Sequence, residues 1–176
     1  MPNWTVNTIR ALGTPQDLRA FLEALKWEDK VFDFNRIIPM PELLEHTAKD
    51  LLGQRVKSRY VIDTTVDGPL EKNIRPFTED EEAVLKSIGH SNWYDWSVEH
   101  WGTKWNACYS EIDETGSASG YVEIRFETAW AAPVPVFQRM FELFPQISFV
   151  CVWKHEGERK RHSLKRLVAK RGEGGT

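Results

Sequence analysis

Between Trp93 and Trp105 four tryptophans (Trp93, Trp96, Trp101, Trp105) are interleaved with Tyr94, Asp95, His100 and Lys104, and Asn106 follows. Polar groups set between indoles can bind a base, a sugar or a cation by stacking and hydrogen bonding. His100 with Asp95 or Glu99 has the make-up of an acid–base pair, but no nucleophile is spaced with them in a recognisable pattern. Asn35 and Arg36 sit between apolar residues in FDFNRIIPMP. Arg36 can meet an anion or one of the many carboxylates that follow, and a buried Arg must be compensated, which favours the structural pair. Glu111, Asp113, Glu123 and Glu127 flank Arg125 and read as a solvated outer face, not a metal or acid–base pair. His155 and His162 lie seven apart in a basic stretch, which does not read as a metal pair. Cys108 and Cys151 have neither CxxC nor His-spaced company. No metal, cofactor or catalytic residue is therefore expected. The absence of GxGxxG, GxxxxGK[ST], HExxH and GxSxG strings argues against dinucleotide, P-loop, zincin and α/β-hydrolase chemistry.

The elements that position these residues follow from periodicity. NWTVNTIRAL alternates, with Trp4, Val6 and Thr8 on one face and Thr5, Asn7 and Ile9 on the other, and reads as a strand. A helix follows, with Thr14 as N-cap, Pro15 at its first position and Leu18, Phe21, Leu22 and Leu25 at helical spacing. FDFNRII is expected to be extended and stopped by Pro39 and Pro41. A short helix is expected from Pro41 to a Gly53 cap, then a polar irregular stretch with an Asp67-Gly68-Pro69 turn, then a helix from Thr78 to Gly89. In the tryptophan segment, Trp93, Trp96, His100 and Trp101 fall on one helical stripe, with Asp95 and Glu99 on another. Gly102 ends that helix, which places Lys104 near its negative end. A hairpin turns between Thr115 and Gly120, with Val122, Ile124 and Phe126 on its apolar face. A helix carrying Val136, Phe137, Met140, Phe141 and Phe144 precedes a core strand, QISFVCVWKH. Residues 158–170 read as one more edge strand and 171–176 as a flexible tail.

Without its middle the order is β-α-β-β-α-β. This predicts an α+β, ferredoxin-like split-βαβ antiparallel sheet with a large, mostly helical insertion after the first βα unit. The expected single domain comprises a core of residues 1–30 and 104–170 and an inserted layer of residues 31–103. The aromatic stripe then docks the inserted layer on the sheet, with indole N–H groups bonded to backbone or to Asn106. Any ligand would lodge at that seam.

The chain carries a net charge of −3 and eight tryptophans among 176 residues, so it is no electrostatic glove for nucleic acid. Nine acids and three bases lie between Asp63 and His100, whereas eight bases and three acids follow from Lys154 onward. Unpaired cysteines and the lack of an apolar leader or an 18-residue apolar run predict a reduced, cytoplasmic setting.

The blocks MPNW, FDFNRIIPMP, NWYDWSVEHWGTKWNA and FETAWAAPVPVF together resemble the YubB-type family of plasmids and phages, and they follow that family's order. The resemblance implies a ferredoxin-like domain and a mobile-element setting, with no established reaction. Thr5 and Ser97 stand where relatives carry cysteine, and His100 where Asn is common. The expected role is a non-enzymatic interaction module that binds a host or element protein. The alternatives are a small-ligand or nucleotide-binding protein or enzyme using the tryptophan seam (Asn35, Arg36, Trp93, Tyr94, Asp95, Trp96, His100, Trp101, Lys104, Trp105, Asn106), and a single-stranded nucleic-acid binder. Glu123 and Glu127 on the sheet face disfavour the last.

Overall fold

The computed structural model describes residues 3–45, 47, 60–62 and 74–168. The chain divides into two compact units, one formed by the chain up to Ile38 together with that from Trp101 onward, the other by Pro39–His100.

The first unit is built on a five-stranded antiparallel sheet in the order β4-β5-β1-β6-β7. Its strands are β1 (Trp4–Leu12), β4 (Cys108–Asp113), β5 (Tyr121–Ala129), β6 (Ser148–His155) and β7 (His162–Arg166). Strand β1 lies between β5 and β6, and β5 lies between β4 and β1. Each pair of parallel strands is thus split by an antiparallel one. With helices α1 (Pro15–Leu25) and α5 (Val134–Leu143) as crossovers, this is the ferredoxin-like arrangement, extended by β7 along β6.

The alternation in β1 sorts the faces as its sequence requires. Thr5, Asn7, Ile9 and Ala11 are buried, while Val6 and Leu12 are exposed. The buried face meets Val122, Ile124 and Phe126 from β5 and Phe149 and Cys151 from β6, all essentially without solvent contact. Leu18, Phe21, Leu22 and Leu25 of α1 and Val136, Phe137 and Met140 of α5 close this core. Aromatic edges lock it: Phe21 meets Phe149 at 5.3 Å, and Phe126 meets Phe32 at 5.0 Å and Phe137 at 6.3 Å. Helix α1 starts where Thr14 Oγ1 accepts from Asp17 N–H. The carbonyls at the end of α5 accept from Arg166 of β7, at 3.4 Å for Phe144 and 2.8 Å for Pro145. Gly120 needs its left-handed backbone (φ +80°), and a Cβ there would stand 2.6 Å from Gly13 O.

Two local expectations fail in instructive ways. Residues 34–36 form a 3₁₀ turn, not an extended segment, because Asp33 Oδ1 accepts from Asn35 N–H and gives the backbone a local alternative to a strand. In the second unit, Tyr60–Ile62 (β2) and Ile74–Pro76 (β3) pair as an antiparallel ladder within the stretch expected to be irregular.

The second unit also holds α2 (Glu42–Glu45), α3 (Glu79–Ile88) and α4 (Trp93–His100). Helix α2 ends at Glu45 and Thr47 stands outside it, short of the expected Gly53 cap; residues 48–53, the Asp67-Gly68-Pro69 turn and the tail 171–176 lie outside the described residues. Helix α3 has the expected capping box, Thr78 with Glu81, and ends on Gly89 in the left-handed region at φ +83°. No helix among the described residues is long and apolar enough to cross a membrane.

Candidate functional site

The tryptophan segment is not one stripe. Helix α4 stops at His100, and the division between the units falls between His100 and Trp101. The candidate residues are therefore divided between the two units, and each set is described within its own unit.

In the second unit, Asn92 and Asp95 cap α4 reciprocally: Asn92 Oδ1 accepts from Asp95 N–H at 2.9 Å and Asn92 Nδ2 donates to Asp95 Oδ2 at 2.9 Å. Asp95 is thus engaged in starting the helix. Trp93 N–H donates to Thr47 Oγ1 at 3.0 Å, and the Trp93 ring meets that of Tyr94 edge-on at 5.9 Å. Trp96 is buried, and the His100 ring stacks on it at 4.4 Å and 6°.

In the first unit, Trp101 is a core residue. It is 4 % exposed, packs edge-on against Phe34 at 5.7 Å, and its indole N–H donates to Ile38 O at 2.9 Å. Asn106 is a long-range clamp that takes no indole N–H from Trp101. Its Oδ1 accepts from Phe34 N–H and Ala107 N–H, both at 2.8 Å, and its Nδ2 donates to the buried Asp33 at 2.7 Å. Asn35 belongs to the turn that Asp33 organises. Arg36 is exposed; its Nε donates to Ala24 O at 3.2 Å and its guanidinium lies 5.4 Å over the Trp27 ring.

Lys104 belongs to the first unit. Its ammonium is 4.5 Å from the centre of the Trp105 ring and 4.9 Å from that of Trp130. Trp105 continues to Trp4 at 6.3 Å, and Trp4 to Tyr109 at 5.7 Å, edge to face. The start of β1, the start of β4 and the end of β5 thus converge at one corner of the sheet and build a ridge: Tyr109, Trp4, Trp105, Lys104, Trp130. Tyr109 is 75 % exposed and Trp130 is 48 % exposed.

The backbone under this ridge is strained. Tyr109 has φ 50° and Trp130 has φ 70°, the left-handed region that disfavours bulky side chains. Tyr109 occupies the register shift between Cys108 and Glu111 in β4. A bulge of this kind re-aims a side chain, and here it turns an aromatic outward. Strain of this kind clusters at functional positions. Sequence reading missed Tyr109 and Trp130 because nothing local marks a left-handed aromatic, and Trp4 because only tertiary packing brings it beside Trp105.

The open face of the sheet is less solvated around Glu123 than the sequence suggests. Glu123 is 6 % exposed. It accepts from Arg10 Nε at 2.9 Å, from Arg125 Nε at 2.7 Å and from the Tyr121 hydroxyl at 2.8 Å. Arg10 above all, with Tyr121 and Arg125, holds its carboxyl down at about 2, against the opposing effect of burial. Burial chiefly pushes the Tyr121 hydroxyl and the Cys108 thiol up. Cys151 is raised by burial alone and is an inert core residue.

No curated protein matches the chain. Among solved structures, the crystal structure of a protein api92 from Yersinia pseudotuberculosis is similar at 11 % identity, over 94 % of this chain and 95 % of that one, with a TM-score of 0.44. Residues 104–162, which contain β4, β5, α5 and β6, match the family model described as the ferredoxin-like domain in Api92-like protein.

Proposed function

We propose that the protein is a non-enzymatic interaction module whose aromatic ridge docks onto a protein partner. The observation that carries this reading is the pair of strained aromatics: Tyr109 and Trp130 expose ring surface from backbone conformations that cost free energy. A fold selected for stability alone would favour glycine at both positions. Trp and Tyr are the residues that most often dominate binding energy at interfaces, and Lys104 between two indoles adds a charged rim. The resemblance of the chain to plasmid and phage proteins makes a host protein, or another protein of the same element, the partner of choice.

The test is affinity capture from the natural host with the full chain, followed by cross-linking and peptide mapping. A Tyr109→Gly/Trp130→Gly double variant serves as the comparison. The reading requires one partner cross-linked at the ridge, lost in the double variant while its melting temperature is retained. Equal capture by both proteins would refute it, as would salt-sensitive binding of single-stranded oligonucleotides at micromolar affinity or tighter.

A further inference from the structure

Helix α4 delivers Glu99 and His100 in its last turn, and the Gly89 cap of α3 hands the chain directly to His90. The rings of His90 and His100 meet edge to face at 5.2 Å, and His90 Nε2 stands 3.3 Å from Glu99 Oε2. One donor atom from each of the three residues lies within 4.8 Å of the other two. We propose that His90, Glu99 and His100 form a binding site for one borderline divalent cation of the Zn²⁺ type, with a fourth position left open.

Tetrahedral zinc with bonds of about 2.0–2.1 Å sets its donors about 3.3 Å apart, which is the separation already present between His90 and Glu99. His100 is prepared for the role by its own helix. Its Nδ1 lies 3.0 Å from Trp96 O. A carbonyl oxygen only accepts, so Nδ1 carries the proton and Nε2 keeps its lone pair. An outer hydrogen bond of this kind fixes the tautomer and ring plane of metal-binding imidazoles. Stacking on the buried Trp96 ring holds the same plane.

The field also suits a cation. His100 ends α4, and His90 follows the end of α3, so both imidazoles stand at the negative ends of helices. A second group of the same composition, His155, Glu158 and His162, lies in the first unit. It is flanked by Lys154, Arg159, Lys160 and Arg161, whose charges oppose a metal ion. That group therefore supplies the control.

The full chain would be titrated with Co²⁺, read by visible absorption, and with Zn²⁺ in competition with a chromophoric chelator. Wild type is expected to bind one equivalent of Zn²⁺ at micromolar affinity or tighter, with intense four-coordinate Co²⁺ bands. Affinity should fall at least tenfold in His100→Gln and in Glu99→Gln, and stay unchanged in His162→Gln. The Glu99 side chain is 69 % exposed, so Glu99→Gln leaves the fold intact, which a melting curve verifies. No saturable binding, equal affinity in all four proteins, or a loss confined to His162→Gln would each overturn the assignment.

Discussion

Replacing Tyr109 separately by alanine and by glycine isolates the strain beneath the ridge. In an ordinary strand, glycine is worse than alanine by about 0.5–1 kcal/mol because it loses more backbone freedom on folding. Here φ is 50°, and a residue with a Cβ held in that region costs about 1–2 kcal/mol. Tyr109 is 75 % exposed, so about a quarter of a side chain of roughly 200 Å² is covered, worth about 1 kcal/mol at 25 cal/mol per Å². Both variants lose that contact, together with the edge contact to Trp4. Alanine keeps the strain and should be about 1–2 kcal/mol less stable than wild type. Glycine sheds it and should be about 0.5–1 kcal/mol more stable than the alanine variant, close to wild type. Urea unfolding of the three proteins, with unchanged slopes, measures the ranking as a shift in midpoint. The ordinary ranking, alanine at or above glycine, would refute the claim that the fold bears a strained aromatic at this position.

Two further outcomes follow from other parts of the molecule. The folded-state pKa of Glu123 is depressed to about 2 from 4.5, so its contribution is present above the unfolded value and is lost as pH falls from about 4.5 to 2; at most about 3 kcal/mol is at stake. Glu123→Gln should flatten the stability profile in that window, measured by denaturant midpoints against pH, and an unchanged slope would contradict the network. Trp101→Ala removes a ring that is 4 % exposed and leaves Ile38 O without the indole donor. It should cost about 3–5 kcal/mol, whereas Trp105→Ala, at a half-buried position, should cost less than half of that in the same assay.

The sheet was legible because its strands carry their own signal. The alternation of Trp4–Leu12 and Tyr121–Ala129 divides buried from outward residues, and Thr14, Thr78 and Gly89 mark helix ends by local chemistry. What stayed hidden depends on partners far away in the chain. Asn106 reaches Asp33 and Phe34 across more than seventy positions, and no periodicity reports that. The segment with four tryptophans looks like one stripe by spacing, but the helix ends at His100, and Trp101, Lys104 and Trp105 serve the other unit. Trp130 and Trp4 become neighbours of Lys104 and Trp105 only through the register of β1 with β5, where Trp4 faces Ala129. The ridge is therefore a product of tertiary register, and composition alone would have placed its tryptophans in the interior.

Strand β7 also governs how the molecule behaves at high concentration. Without it, β6 would offer the row Phe149, Val150, Cys151, Val152 and Trp153 as an open hydrogen-bonding border. Such a border invites a neighbouring chain to add itself, the first step toward precipitation. The strand that covers it carries Lys165 and Arg166 along five residues, too short and too charged to propagate pairing. At the opposite border the bulge at Tyr109 interrupts β4. Among the described residues the sheet thus ends on both sides in segments that discourage stacking into fibres, and it can present its tryptophans without recruiting copies of itself edge to edge.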